Sequence, residues 1–296
     1  MAMNLSRLAF LTFAVLASWT AAAQPQPVTM WQVDGERNRV FLLGSVHLLR
    51  PEDHPLPTVI ETAYNEADAL YMELDMDDVN PAELQSLSNR LGLIQGEGTL
   101  EDVIGAERYA EAAALAEVLE IPFDMLGKTE PWFAAITIEQ MVLLRIGFNP
   151  LYGIEMHMAM KASTDGKPID GLETVEEQLN FLDGLSLDAQ IDLLMQTLQE
   201  GGEIEPLMDE LIAAWRHGDL AFLEATMLEG MGDSPELYET IVAERNRRWT
   251  DVIEDLLTRD DDYLVIVGAL HLVGEDGLPT LLSERGIRIG QMHDSL

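Results

Sequence analysis

Two stretches near opposite ends of this chain repeat the same succession of residues, and that repetition constrains the fold more than any other feature. The first runs Val40-Phe41-Leu42-Leu43-Gly44-Ser45-Val46-His47-Leu48-Leu49 and is followed by Leu56-Pro57-Thr58. The second runs Leu264-Val265-Ile266-Val267-Gly268-Ala269-Leu270-His271-Leu272-Val273 and is followed by Leu278-Pro279-Thr280. In each, an apolar run of strand length ends in Gly-x-x-His, and Leu-Pro-Thr opens a helix, since proline suits a helix's first turn. Two such strand–GxxH–helix repeats imply an α/β (α+β) fold with a central mixed, mostly parallel sheet. They are expected as neighbouring parallel strands ending on one edge, where open sheets bind ligands.

Around the repeats, Thr29–Val33 and Asn38–Leu43 read as a hairpin through Asp34-Gly35. Pro57–Ala67 reads as a helix and Ala69–Leu74 as a strand, a strand–helix–strand unit whose crossover implies parallel strands. Beyond it, residues 77–260 form a large helical insertion or cap, with apolar residues at three- and four-residue spacing in segments such as Leu100–Leu119, Trp132–Ile146 and Pro235–Leu257. Lys167–Gly171 is a brief extended stretch within it; Tyr263–Val267, Leu278–Glu284 and Ile287–Met292 read as strand, helix and strand. No Pro/Gly/Ser-rich linker interrupts the chain, so 24–296 is read as one domain.

The N-terminus has the three parts of a secretory signal: one positive charge in Met1–Arg7, an uncharged run Leu8–Trp19, and the small residues Ala21–Ala23. Residues 1–23 are expected to be cleaved, leaving a periplasmic or secreted protein that begins at Gln24 and has no stable membrane anchor. Cysteine is absent, which excludes disulfides, thiol catalysis and cysteine-based metal sites. The net charge is −36, and the lysines are Lys128, Lys161 and Lys167 alone. Such a surface repels phosphate backbones, so nucleic acid is not the expected partner.

A glycine after a buried strand permits a strained turn or a close approach of ligand to backbone. A histidine three residues on sits at the sheet edge, where imidazole binds a divalent metal or moves protons. His47 and His271 are therefore the leading site residues. Glu73 ends an apolar strand and needs a partner if buried. Glu173 opens a helix, where the dipole alone would favour a carboxylate. Glu155 and His157 open another helix, with His157 reading as structural. Arg245 lies in the basic run Arg245-Asn246-Arg247-Arg248, from which an inward-pointing arginine could bind a carboxylate or an oxyanion. Gly-x-Ser-x-Gly, Walker, Rossmann and His-Glu-x-x-His patterns are absent. Met156, Met158 and Met160 read as helix packing and not as a copper site.

Phe41–His47, Tyr71–Leu74, Gly153–Glu155, Gly171–Gln178, Glu244–Trp249 and Gly268–His271 together make the chain resemble the TraB/GumN family, part of the wider TIKI and erythromycin-esterase-like superfamily. The resemblance implies a sheet built from two repeats with a helical insert, and a site formed by the two motif histidines with an acid on the adjacent strand. It implies a class of chemistry and no single activity, because members resemble metal-dependent proteases, metal-independent ester hydrolases with a histidine base, or haem binders. The leading expectation is a metal-dependent hydrolase of a peptide or small molecule, with Mn²⁺, Co²⁺ or Zn²⁺ on His47, His271 and Glu73. A non-catalytic haem- or ligand-binding protein and a metal-free histidine-base hydrolase are the alternatives.

Overall fold

Alternation decides how the strands lie. Phe41, Leu43, Leu264 and Ile266 are buried in one cluster, while Val40, Leu42, Tyr263, Val265 and Val267 are buried in another. A strand points successive side chains to opposite faces, so strands apolar on both faces must lie inside a sheet covered on both sides. The computed structural model of the chain describes residues 26–294 except 230, 232 and 233, so the expected signal segment 1–23 lies outside the described residues.

Strands β1 (Gln26–Asp34) and β2 (Arg39–Ser45) form the expected hairpin, with Met30 opposite Leu43 and Asp34 opposite Arg39. Helix α1 (Thr58–Glu66) leads to β3 (Ala69–Leu74). There follow α2 (Pro81–Leu91), α3 (Leu100–Ile104), α4 (Ala106–Val118), α5 (Pro131–Arg145) and α6 (Ile154–Asp165). The chain then re-enters the sheet as β4 (Ile169–Glu173). Helices α7 (Val175–Asp183), α8 (Leu187–Glu200), α9 (Ile204–Arg216), α10 (Leu220–Glu229), α11 (Pro235–Tyr238) and α12 (Glu244–Leu256) complete the long middle section. The repeat returns in β5 (Tyr263–Gly268), and α13 (Leu278–Glu284) and β6 (Ile289–Asp294) end the described chain.

The sheet has the order β4-β3-β5-β2-β1-β6, parallel from β4 to β2 and antiparallel at β1 and β6. The two repeat strands are parallel neighbours, as the repeat implies. Two details differ from the sequence reading. The strand–helix–strand unit β2-α1-β3 does not pair with itself, because β5 lies between its strands and bonds to both. The repeats are also offset by one residue, with Gly44 opposite Val267 and Ser45 opposite Gly268. The periodicity of two identical motifs specifies that they are alike, and leaves their register to packing.

One sheet face is covered by α1, α6, α9 and α10, the other by α12 and α13. A separate apolar cluster joins α3, α4, α5 and α8 through Leu100, Ala116, Ile138 and Leu194. The expected single helix Leu100–Leu119 is broken at Gly105, whose φ of 85° ends one helix and starts the next. That backbone angle is comfortable only for glycine.

Helix α9 is tied to the β1–β2 hairpin by two buried bonds. The Trp215 indole donates to the Gly44 carbonyl at 2.7 Å, and the Thr29 hydroxyl donates to the Trp215 carbonyl at 2.8 Å. Trp215→Phe keeps much of the packing and removes the indole donor. It should lower the unfolding free energy by about 1–3 kcal/mol in urea denaturation; an unchanged midpoint would show that this bond does not hold α9 to the sheet.

Candidate active site

Three chain segments bring the buried charges together at the C-terminal edge of the sheet. Glu73 lies two residues after Tyr71 and so faces the layer that holds α12. On α12, Arg245 lies four and eight residues before Trp249 and Ile253, both fully buried in that layer. Helical spacing puts all three on one face and carries the guanidinium inward. Glu173 is the last residue of β4, opposite Leu74. It does not open the following helix, whose N-cap is Thr174, so its burial rests on an ion pair and not on a helix dipole.

Arg245 uses all five of its N–H groups. Nε donates to both oxygens of Glu173 at 3.1 Å, and Nη2 donates to Glu173 at 2.9 Å and to Glu73 at 2.6 Å. Nη1 donates to the Ile241 carbonyl at 3.2 Å and to His271 Nε2 at 3.1 Å. Ile241 belongs to a π-helical stretch, Glu239–Ala243, that runs directly into α12; such widened turns recur at functional sites. The Trp249 ring lies under the guanidinium, 4.5 Å from its carbon, and 4.5 Å from the His271 ring. Arg248 adds a bond to Glu173 at 2.6 Å, while Arg247 points outward to Glu239.

The tautomer of His271 follows from its neighbours. Asn246 donates its amide N–H groups to the carbonyls of His271 and Asp276, which leaves its Oδ1 as an acceptor 2.7 Å from His271 Nδ1. Nδ1 therefore carries the proton, and Nε2 is the bare nitrogen that accepts from Arg245. Burial, reinforced by the positive charges of Arg245 and His47, outweighs Glu73 and holds the His271 pKa down at about 3. His271 is neutral at working pH.

His47 experiences the opposite field. Its ring, 59% exposed, donates from Nδ1 to Glu155 Oε1 at 2.8 Å. Glu155 also accepts from the Ser45 hydroxyl. The Glu155 charge raises the His47 pKa strongly, against the cost of desolvation. Helix α6 is set tightly on the His47 loop: a Cβ on Gly153 would lie 2.0 Å from the His47 carbonyl oxygen, and Ile154 donates to Val46. Close approach, and no unusual φ, requires glycine there. The same holds for Gly44, where a Cβ would lie 2.7 Å from Thr29 Cγ2; Gly44 and Gly268 both lie in strands and not in strained turns.

These groups converge at Gly268. A Cβ placed there would be 3.4 Å from Glu73 Oε1, 3.5 Å from His47 Nε2 and 3.7 Å from His271 Cδ2. The two histidines are thus no more than about 7 Å apart at those atoms. The Gly268 N–H donates to Glu73 Oε1 at 2.7 Å, and Gln178 donates to Oε2 at 3.1 Å. Burial alone would raise the Glu73 pKa, but His271, Arg245, His47 and this N–H hold it at about 2. His157 stays outside: its ring packs 5.3 Å from His54, and Nε2 reaches Glu61 at 3.5 Å.

A cleft of about 570 Å³ opens over His47, Glu73, Glu155 and Gln178. Its walls include Met72, Met76, Ile136, Leu143 and Met156, and α5 forms one side. His271 and Arg245 lie behind this lining. Sequence reasoning missed Ser45, Asn246, Gln178 and Glu139. Ser45 and Asn246 were signalled by polarity inside a strand and beside Arg245. Glu139, on a helix of the insertion, gave no signal.

The profile of the TraB/PrgY/gumN family matches residues 29–291. The chain belongs to this family. YbaP of Escherichia coli (strain K12) is 27% identical over 248 residues, 83% of this chain and 88% of that one. The proteins named Metalloprotease TIKI1 of Xenopus tropicalis and Homo sapiens are each 22% identical, over 83% and 84% of this chain but only 58% and 59% of theirs. No solved structure matches.

A divalent ion on His47, His271 and Glu73 was the expectation. The donor set does not fit it. His271 has one nitrogen protonated and the other occupied by Arg245, and both Glu73 oxygens are already acceptors. A fixed guanidinium 2.6 Å from Glu73 would also repel a dication. Among the described residues, no group of three or more histidines and carboxylates is arranged around a common point for a metal.

Removing Arg245 takes the arginine from Glu73 and leaves Glu173 with Arg248 alone. Arg245→Met should cost about 3–5 kcal/mol in urea denaturation. Acid should also destabilise the wild-type protein. The unfolded chain protonates His271 near 6.5 and the folded chain near 3, so stability is lost as pH falls through that window. Glu73 adds a loss between about 4.5 and 2. In ¹⁵N spectra at pH 7, His47 should appear as imidazolium and His271 as the neutral Nδ1–H form; His271 titrating near 6.5 would contradict the arrangement.

Proposed function

We propose that the chain is an exported hydrolase that cleaves an ester or amide bond of a small molecule or peptide in the cleft over His47. One observation carries this reading: two histidines meet at Gly268 beside a cleft, His47 against the carboxylate of Glu155 and His271 against the guanidinium of Arg245. Environments that push like groups apart assign acid and base roles. His47, kept protonated by Glu155, turns Nε2–H toward the cleft floor and acts as the acid. Glu73, kept ionised, orients the attacking water and steadies the charge on His47. Water adds to the carbonyl carbon, the bond to the departing oxygen or nitrogen breaks, and that atom takes the His47 proton. The proton lost by water restores the imidazolium. His271, Arg245 and Glu173 do not touch the substrate; they hold Glu73 in position.

The name of the TIKI1 relatives favours a second reading, in which His47, His271 and Glu73 would have to exchange their present partners for Mn²⁺, Co²⁺ or Zn²⁺, and the ion would supply an activated water. The two readings separate cleanly. Hydrolysis of a chromogenic ester or peptide panel that survives EDTA, in protein lacking stoichiometric metal, supports the acid–carboxylate pair. Loss in EDTA with recovery on adding one metal supports the second. His47→Ala should lower kcat/KM by about 10²–10⁴ with circular dichroism unchanged. The wild-type rate should hold through neutrality and fall only as His47 loses its proton, toward pH 10. Glu155→Gln removes the charge that raises that pKa, so the alkaline fall should move down by more than one unit. An unmoved profile would take the proton from some other group.

A further inference from the structure

When water adds to a carbonyl, the carbonyl oxygen gains a negative charge, and a fixed N–H or O–H donor at that oxygen lowers the barrier. His47 is committed to the departing atom and Glu73 to the water, so this oxygen calls for a third group. Among the side chains lining the cleft, those that carry an N–H or O–H donor are His47, Gln140 and Gln178. Gln140 is an exposed residue of α5. Gln178 is half-buried and stands beside Glu73, with Nε2 3.1 Å from Glu73 Oε2. An ionised carboxylate only accepts, so it fixes how this amide is turned: the NH₂ group, and not the oxygen, faces Glu73. One N–H is used in that bond. The second has no partner among the described residues. Glu73 does not depend on Gln178 for its place, since Arg245 and the Gly268 N–H already hold its two oxygens.

The amide is carried on a well-seated helix. The Gln178 N–H closes the first turn of α7 on the Thr174 carbonyl, and Thr174 and Glu177 cap that turn reciprocally. Three residues on, the Phe181 ring packs against the guanidinium groups of Arg245 and Arg248, at 5.4 and 5.3 Å. Residues three apart are neighbours on a helix surface. The arginines bonded to Glu73 and Glu173 therefore also seat the part of α7 that carries Gln178.

We infer that Gln178 is a further catalytic residue, whose second amide N–H donates to the substrate's carbonyl oxygen as that oxygen becomes an oxyanion. This rests on the hydrolase reading of the cleft. Water held on Glu73 attacks the carbonyl carbon, which brings the carbonyl oxygen beside the neighbouring amide. As the new carbon–oxygen bond forms, the carbonyl π pair moves onto oxygen, and Gln178 stabilises it without giving up a proton. The pair returns to the carbon when the leaving atom departs with the His47 proton.

The test compares 4-nitrophenyl butyrate with its thiono counterpart, in which sulfur replaces the carbonyl oxygen. The 4-nitroanilide and its thioamide serve if the wild type cleaves amides alone. Sulfur is a weak hydrogen-bond acceptor, so a donor aimed at this atom favours the oxygen substrate. The wild-type oxygen-to-sulfur ratio of kcat/KM should exceed the uncatalysed ratio in buffer by about tenfold or more. Gln178→Ala should lower kcat on the oxygen substrate by about 10²–10³, leave KM little changed, and bring the ratio toward that of buffer. Gln178→Met, which keeps the packing volume, should do the same. Persisting turnover of the sulfur substrate reports that the site is folded, and the alkaline fall assigned to His47 should stay in place, because an amide does not titrate there. A residue that only positioned Glu73 would slow both substrates equally. That result, an unchanged kcat, or a wild-type ratio no higher than in buffer would overturn the role of Gln178 and leave the hydrolase reading standing. A wild type that cleaves neither esters nor amides would remove the hydrolase reading, and this role with it.

Discussion

The buried guanidinium of Arg245 is the contact on which the rest of the site depends. It is bonded to the ends of β3 and β4, to the histidine that follows β5, and to a carbonyl of its own helix. Each of those groups would be costly to bury alone. Together they satisfy one another, and the cluster's two carboxylates are matched by Arg245 and the half-exposed Arg248. A buried ion network of this kind is a weak source of net stability and a strong source of specificity in position, because any missing member strands the others. Its consequence here is that Glu73 is held rigidly at the cleft floor.

The same charge explains why two copies of one motif end in different chemical states. His271 is 4% exposed and faces a fixed cation, so it stays neutral and serves as an acceptor. His47, at the corresponding position of the other repeat, is open to the cleft and faces a carboxylate delivered by α6. Identical residues just beyond adjacent parallel strands thus acquire different surroundings from what the helices bring to each. Helices α6 and α12 supply the carboxylate and the cation, and α5 closes the cleft wall.

Membership of the TraB/PrgY/gumN family over residues 29–291 accounts for the shared motifs, and the distant likeness to proteins named metalloproteases sets the metal question. The donor inventory at Gly268 bears on that question directly. Metal ligation needs lone pairs free of protons and of other cations, and Arg245 already occupies the place where a dication would be attracted.

Much of this was legible in the residues. The paired Gly-x-x-His units and their apolar flanks required two like strands in one sheet, because a run apolar on both faces has nowhere else to go. The basic run Arg245–Arg248 marked an arginine that could point inward, and the burial of Trp249 and Ile253 at helical spacing from Arg245 is what the structure adds. Other features were decided by tertiary structure alone. The insertion of β5 between β2 and β3, the one-residue offset of the repeats, and the seat of Glu173 at a strand end arise from packing between distant segments. So does the state of each histidine. A pKa is set by burial and by charges within a few ångströms, and Glu155, Glu73 and Arg245 reach those distances only when the chain has folded. The sequence by itself determined that two like Gly-x-x-His turns would meet at one sheet edge; the fold decided which carboxylate or cation stands beside each histidine, because those partners come from distant helices.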